Sequence, residues 1–226
     1  MTMIIGQRGI GYCTLAVDAR RRDHVTQDIR NVKKLHKLSD QIIVAQGGAG
    51  SGAADDIVSE LKLRTAGALN DIVSCIEIVR EAAPSIMEDA ASRWRANGLQ
   101  IPPTQLIFAS VDHISGIGVH VAIRLNDLSV TQFNESGPYF TGSNTLLIQE
   151  KASEEWFRLM DADDTSMAYD NYAIAVAQHL EHVDPMNIGL PVDVGVVRLN
   201  QCDFECVIRE NLSQANDPDP RFLLAL

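Results

Sequence analysis

The chain has 226 residues, of which 46% are hydrophobic and 5% aromatic, and its formal net charge at pH 7 is -11. The length allows one medium-sized domain with a sizeable core, and the composition is ordinary for a soluble protein of mixed α and β structure. Acidic chains bind nucleic acid and anionic membranes poorly, and no apolar run is long enough to span a bilayer, so we expect neither as a partner.

The N-terminal sequence has no basic leader followed by an apolar stretch and a small-residue cleavage site, so we expect no signal peptide and a cytoplasmic location. The cysteines form no CxxC pair, which favours reduced thiols. They are Cys13, Cys75, Cys202 and Cys206.

Two hairpins are predicted at the start of the chain. Residues 3–5 and 11–17 are apolar runs rich in β-formers, and residues 7–9 are predicted to form the turn between them. A second hairpin has its turn at Ser39 and Asp40 and continues into an apolar strand over residues 42–45.

Two helices are predicted next. The glycine-rich residues 47–52 end the strand, and residues 53–56 open a helix with carboxylates at the favourable end of the helix dipole. Apolar residues at helical spacing predict a second helix over about residues 72–96, with Pro84 as a kink or break.

The remaining elements repeat this order, with strands first, then two helices, then strands. The strands are predicted over 105–110, 116–124, 129–133, 192–199 and 204–209, and the helices over 145–160 and 165–182. Such an order predicts a layered α+β domain with helices on both faces of β-sheet. We expect one domain over residues 1–210 and a C-terminal tail over residues 211–226, which is polar until residues 222–224.

Thr2 is the first candidate for chemistry. If Met1 is removed, a hydroxyl and a free α-amine lie on the same residue, and an amine that titrates at about 7.7 to 8 can serve as the base for that hydroxyl. Many chains begin with Met-Thr without any such role, so Thr2 alone indicates little.

Lys34 and Asp18 each have two interpretations. Adjacent lysines such as Lys33 and Lys34 are usually a solvated face, but a lysine that points into a site stabilises a neighbouring oxyanion or favours a neutral amine base. Asp18 follows an apolar strand and is either a turn residue or the carboxylate that holds such a lysine.

Other sites are less favoured by the sequence. The glycines at 47–52 allow backbone amides to approach a substrate, but more often form a tight turn, and they lack the Gly-Lys-Ser/Thr ending of a phosphate-binding loop. His179 and His182 have no third ligand nearby, and Ser143 lies outside any G-x-S-x-G motif. We therefore expect no metal and no cofactor.

Together these residues resemble the proteasome β-type and HslV-type subunits, a family of N-terminal-nucleophile (Ntn) hydrolases. Asp18 and Lys34 follow Thr2 by sixteen and thirty-two residues, the family's intervals, without a gap, and Arg20 also matches. Shorter segments extend the resemblance over about residues 2–210. They are Asn31 to Lys34, Gly52 to Asp55, Gly142-Ser143 and Asp184 to Gly189.

The resemblance implies the αββα sandwich of Ntn hydrolases, in which two β-sheets are flanked by helix layers. It implies a self-compartmentalising threonine peptidase, with subunits stacked in rings around sites that cleave peptides or unfolded proteins. An ATPase or other regulator is left open as a partner. Within the family, the length, the expected absence of a propeptide and the tail are most similar to the proteasome homologue of β-proteobacteria, with Anbu-type subunits next.

Roles for individual residues follow from the same resemblance. It implies that the Thr2 hydroxyl is the nucleophile and its amine the base, that Lys34 favours charge near that hydroxyl, and that Asp18 pairs with Lys34. Gly48 would supply an oxyanion amide. The residues that would steady the threonine terminus are Ser143, Asp184 and Asn187. The chemistry would be acyl transfer through an ester intermediate.

Three departures leave alternatives open. Asn187 stands where the family usually has serine. The loop over residues 47–52 is longer than in proteasome β-subunits, so Gly50 or Ser51 could replace Gly48. If Met1 is retained, the amine base is missing, which would favour an inactive or structural ring subunit. An Ntn amidohydrolase of a small amide is a further alternative, which a closed chamber disfavours because small substrates need none.

Overall fold

The computed structural model describes residues 2–23, 26–48, 52–65, 71–133, 139–141, 145–160, 166–201, 203–215 and 219–225. The helices in this part of the chain are α1 (Ala53–Thr65), α2 (Ile72–Ala96), α3 (Thr145–Met160) and α4 (Tyr169–Val183), with a short 3-10 helix over Pro220–Phe222. The strands are β1 (Ile4–Gly9), β2 (Tyr12–Asp18), β3 (Arg20–Arg22), β4 (Ile29–Asn31), β5 (Leu35–Lys37), β6 (Ile43–Gly48), β7 (Thr104–Val111), β8 (Gly118–Arg124), β9 (Val130–Phe133), β10 (Tyr139–Thr141), β11 (Ser166–Ala168), β12 (Val192–Asn200), β13 (Asp203–Leu212) and β14 (Leu223–Ala225).

Two five-stranded antiparallel sheets form the centre of the fold. The first has the strand order β10-β1-β2-β12-β13, and the second has the order β5-β6-β7-β8-β9. Two smaller antiparallel pairs, β3 with β4 and β11 with β14, lie beside them. The chain is thus α+β, as the sequence predicts.

Strand alternation separates the two faces of each sheet. In the first sheet, Leu15 and Val17 belong to a buried apolar cluster shared with the second sheet, whereas Ala16 packs with α3 and α4. In the second sheet, Ile43 lies in the shared cluster and Val44 packs with α1 and α2. Because successive strand residues point to opposite faces, the layers run helix, sheet, sheet, helix.

Local sequence explains the long helix α2. Asp71 caps its N-terminus by accepting a hydrogen bond from the Ser74 amide at 2.8 Å, and arginines occupy its last turn. Its buried residues recur every three or four positions along one face. Pro84 lies inside α2, which continues as a helix to Ala96, so the proline does not break the helix.

Two predicted boundaries are wrong. The first hairpin turns at Ile10 and Gly11 rather than at residues 7–9, because β1 stays paired to Gly9 and Gly11 takes the positive φ of the turn. The fourth helix begins at Tyr169 rather than at residue 165, because Ser166–Ala168 instead pairs with β14 of the C-terminal segment.

Two further properties of the described residues bear on the sequence-based expectations. Cys13, Cys75 and Cys206 are free and buried, and Cys202 lies outside the described residues. In the described part of the chain, none of the helices combines the length and apolar character needed to cross a membrane.

Candidate active site

The β1–β2 hairpin brings Thr2 next to Asp18. Ile4 pairs with Val17, and one residue further towards the open end the Met3 amide donates a hydrogen bond to Asp18 Oδ1 at 2.7 Å. The Asp18 amide in turn donates to the Met3 carbonyl at 3.3 Å. These two bonds fix the backbone that follows Thr2 against the end of β2.

Lys34 approaches the same point from the second sheet. It immediately precedes β5, and its carbonyl accepts a hydrogen bond from the Gln46 amide of β6 at 2.9 Å. Its ammonium donates to Thr2 Oγ1 at 3.3 Å, to Asp18 Oδ2 at 3.2 Å and to the Arg20 carbonyl. The structure therefore brings together the three residues that the sequence spacing singled out.

Burial distinguishes Lys34 from its neighbour. Thr2, Asp18 and Lys34 are 1%, 0% and 2% exposed. Lys33 is exposed and forms an ion pair with Glu210 on β13. Of the two interpretations of the lysine pair, the solvated one holds for Lys33 and the inward-pointing one holds for Lys34.

The environment of the buried pair weakens both charges. Burial raises the pKa of Asp18, and the Lys34 charge and the Met3 amide counteract this rise. Burial also lowers the pKa of Lys34, against the opposing effect of Asp18. An ammonium whose pKa is lowered in this way, with a hydroxyl at hydrogen-bond distance, can both stabilise negative charge on that oxygen and exchange a proton with it.

Arg20 connects this cluster to the loop that contains Asp184 and Asn187. Its carbonyl accepts from Lys34, while its guanidinium forms an ion pair with Glu181 and donates to the Ile188 carbonyl at 3.2 Å. The sequence included Arg20 among the matching residues but assigned it no role.

Within that loop the two predicted residues contact each other. Asp184 caps the C-terminus of α4, and its Oδ1 accepts a hydrogen bond from the Asn187 side-chain amide at 2.8 Å. The amide of Asn187 thus binds the aspartate at the position where the family usually has serine. Their proposed support of the threonine terminus stays a prediction.

Gly48 ends β6, opposite Thr104, and has a φ of 116°. A Cβ there would lie 2.5 Å from the Pro103 carbonyl oxygen, so both the conformation and the space require glycine. This shows why a glycine occupies the position, while its role as an oxyanion donor stays a prediction. The alternatives Gly50 and Ser51, and also Ser143, lie outside the described residues.

A polar network that the sequence did not predict adjoins the cluster. The Gln46 side-chain amide donates to the Lys33 carbonyl at 2.9 Å and to Asp55 Oδ1 at 2.8 Å. Arg21 binds the same carboxylate through both of its terminal nitrogens, at 2.6 and 3.2 Å. Burial opposes ionisation of Asp55, but the hydrogen bond and charge of Arg21 outweigh it and lower the pKa. The sequence feature that could have indicated this network is Gln46, a glutamine inside the apolar run of β6.

The described residues contain no group of three or more His, Cys, Asp or Glu side chains arranged to hold a metal ion. Comparison of the sequence with models of known protein families gave no match, and comparison with curated proteins gave none either. Interpretation of the site therefore depends on its geometry and on the sequence motifs.

Proposed function

We propose that the chain is a threonine peptidase subunit of the proteasome β-type and HslV-type family, with Thr2 as the nucleophile once Met1 is removed. The observation that carries the proposal is the position of the Lys34 ammonium, 3.3 Å from Thr2 Oγ1 and 3.2 Å from Asp18 Oδ2, in a buried cluster. The layer order of helix, sheet, sheet and helix is compatible with the Ntn-hydrolase fold.

The proposed reaction is acyl transfer. The free α-amine of Thr2 takes the hydroxyl proton as Oγ1 attacks the carbonyl carbon of a peptide bond. The proton passes to the leaving amine, which departs and leaves an ester on Thr2, and a water molecule then hydrolyses the ester to release the acid and restore the hydroxyl. The Lys34 ammonium favours the attack because it stabilises negative charge on Oγ1.

The same proposal includes a homo-oligomeric assembly of stacked rings that encloses the sites and admits peptides or unfolded proteins. Large apolar side chains exposed on the outer helices support an association of this kind. Leu63 on α1, Val73 on α2 and Phe157 on α3 are 76%, 65% and 64% exposed.

A second candidate function is a catalytically inactive or structural ring subunit. The observation that favours it is the 1% exposure of Thr2, because a nucleophile must be reachable by a substrate carbonyl. An active subunit therefore needs a change at the N-terminus that exposes Oγ1, and removal of Met1 is the simplest such change.

The decisive experiment combines the intact mass of the purified protein with two activity measurements. Processed wild type is expected to cleave fluorogenic peptides and to gain the mass of a covalent inhibitor directed at N-terminal threonine. Thr2→Ala is expected to do neither, and Thr2→Ser to retain part of the turnover because the hydroxyl and the amine survive. Processed protein with a free Thr2 that shows neither turnover nor labelling would leave the structural subunit as the function.

A further inference from the structure

A second buried carboxylate, Asp193, lies near Lys34. It is 2% exposed and belongs to β12, where it pairs with Val17, the residue before Asp18. Val192 and Val194, on either side of it, pack in the apolar cluster beneath α3 and α4. By strand alternation Asp193 therefore points the other way, into the space between the two sheets.

The neighbouring residues of β12 confirm this direction. A Cβ on Gly195, two positions further along, would lie 3.1 Å from a methyl group of Leu35, and Val197 belongs to the cluster between the sheets. Leu35 directly follows Lys34. The carboxylate of Asp193 thus faces the segment that carries the lysine.

A β-bulge holds this carboxylate in place. Val192 faces Leu212 and Val194 faces Arg209, so Asp193 alone stands opposite the two residues Glu210 and Asn211. Asn211 has a φ of 59°, a conformation that asparagine tolerates. Its backbone amide donates a hydrogen bond to Asp193 Oδ1 at 2.9 Å. Glu210, the other bulge residue, forms an ion pair with Lys33.

We propose that Asp193 is a positioning residue that, together with Asp18, maintains the charge of the Lys34 ammonium beside Thr2. The β12–β13 bulge serves this purpose because it aims the Asn211 backbone amide at the Asp193 carboxylate, while Glu210, the other bulge residue, pairs with Lys33. As a consequence, Lys34 has the Asp18 carboxylate in contact with it and the Asp193 carboxylate on the neighbouring strand β12.

Electrostatic effects agree with this arrangement. The Asp193 charge raises the pKa of Lys34, although burial lowers it overall, and the positive charge of Arg21 acts in the same direction as burial. Burial raises the pKa of Asp193 itself and Glu210 adds to the rise, whereas the Asn211 amide and the charges of Lys33 and Lys34 oppose it. The charged groups that act on Lys34 are therefore Asp18 on β2, Arg21 on β3 and Asp193 on β12, whereas Lys33 and Glu210 act on Asp193.

The test measures the titration of Lys34 itself. The chain has five lysines, so protein labelled with 13C at the lysine ε-carbon gives few NMR signals, and Lys34→Arg assigns the one of interest. Asp193→Asn keeps an oxygen that can accept from the Asn211 amide but removes the charge. We expect its Lys34 midpoint to fall by on the order of one pH unit.

Glu210→Gln is the matched control, because it removes a charge from the same bulge while leaving Asp193 in place. It should leave the Lys34 midpoint unchanged, because Glu210 pairs with the exposed Lys33. If Asp193→Asn does not fold, Asp193→Ser supplies a smaller neutral acceptor for the same measurement. An unchanged Lys34 midpoint in the folded variant would overturn the proposal.

This inference rests on the proposed function only for its consequence in catalysis. If the chain is a peptidase, the limb of its pH–rate profile that Lys34 governs should move to lower pH in Asp193→Asn by the same amount as the NMR midpoint. If the Lys34 midpoint shifts in Asp193→Asn but processed wild type shows no turnover, the role of Asp193 is supported and the peptidase is contradicted. If processed wild type turns over peptides but the Lys34 midpoint is the same in Asp193→Asn, the peptidase is supported and the role of Asp193 is contradicted.

Discussion

The Met3 amide donates a 2.7 Å hydrogen bond to Asp18, whose other carboxylate oxygen accepts from Lys34. This bond holds the backbone that follows Thr2 against the end of β2. Because the bond uses the Met3 amide, it does not require a free α-amine on Thr2. If the chain is a threonine peptidase, we expect removal of Met1 to supply the base and the access to this pre-organised cluster.

The first prediction concerns the pair Asp18 and Lys34. Lys34→Ala removes the positive charge beside Thr2 Oγ1, and Asp18→Asn removes the negative charge that favours it. Each should reduce kcat/KM for fluorogenic peptides by on the order of a hundredfold or more. Lys33→Ala is the matched control, because Lys33 is adjacent in sequence but exposed, and it should retain activity within a few-fold. Equal activity of the Lys33 and Lys34 variants would contradict the assignment.

A second prediction concerns Arg20. Arg20→Ala keeps the carbonyl that binds Lys34 but loses the guanidinium contacts to Glu181 and the Ile188 carbonyl. If Asp184 and Asn187 steady the threonine terminus, the loosened loop should lower kcat by about ten- to a hundredfold. Circular dichroism should show an intact fold.

Asn187→Ala separates the two effects in the Arg20 experiment. It removes the side-chain amide that binds Asp184 without touching Arg20. A parallel loss of kcat in both variants would support a role for the loop. A loss of kcat in Arg20→Ala alone would indicate that Arg20 acts on the backbone around Lys34 and not through the loop.

The cluster of Thr2, Asp18 and Lys34 could be predicted from sequence because their intervals resemble those of the proteasome β-type family, and in the structure two short hairpins bring them together. Thr2, Asp18 and Lys34 lie at or next to the ends of predicted strands, where a fixed interval in sequence becomes a fixed position in space. Most strands and helices were predicted for the same reason, since their apolar periodicity is strong.

Other features depend on pairings that the sequence does not encode locally. Asp193 reaches the site only because β12 pairs with β2 and bulges against β13, and both registers are set by long-range contacts. The sequence feature that could have indicated its role is the presence of an acidic residue, Asp193, inside the apolar strand β12. The strand β11 was predicted as helix because its partner, β14, lies at the far end of the chain.

A third prediction concerns assembly. The exposed apolar side chains of α1, α2 and α3 should be covered in solution, since Leu63 and Phe157 are 76% and 64% exposed in a single chain. Light scattering should therefore report a discrete homo-oligomer at micromolar concentration. Phe157→Glu should shift the mass towards smaller species, whereas Val130→Glu, at a strand residue only 38% exposed, serves as the control. A stable wild-type monomer would contradict the proposed ring assembly.

A fourth prediction concerns acid stability. His120 is fully buried between the sheets, with Nε2 2.8 Å from the Thr14 carbonyl oxygen, and burial lowers its pKa to about 4. Since an unfolded histidine titrates at about 6.5, only the unfolded chain gains this proton between those two values. The free energy of unfolding should thus decrease as pH falls from 6.5 to 4, by on the order of 3 kcal/mol from His120.

His120→Gln tests this contribution, because its side-chain amide can donate to the Thr14 carbonyl but does not titrate. Urea unfolding at equal protein concentration should show a smaller loss of stability between pH 7 and pH 5 in the variant than in wild type. The same loss in both proteins would assign the acid sensitivity to other groups. His36, whose pKa burial also lowers to about 4, is the next group to test.

The last prediction concerns the C-terminal segment. Phe222 is 0% exposed and packs in the apolar cluster of α3, α4 and the first sheet. Arg198 of β12 donates to the Arg221 and Leu223 carbonyls at 2.7 and 2.9 Å, and β14 pairs with β11. The segment therefore lies on the body of its own chain, and it closes one side of the apolar core.

Deletion of residues 216–226 should accordingly lower the melting temperature and weaken assembly. Phe222→Ala should account for much of the loss, since removing a buried phenylalanine costs about 3 to 5 kcal/mol. Phe222 also lies 5.8 Å below the Arg209 guanidinium, which forms an ion pair with the buried Asp170. Loss of the ring would therefore disturb that pair, and Phe222→Leu, which keeps most of the apolar volume, should restore much of the stability. If the truncated chain melts and assembles like the full one, the packing of Phe222 contributes nothing measurable and the prediction is wrong.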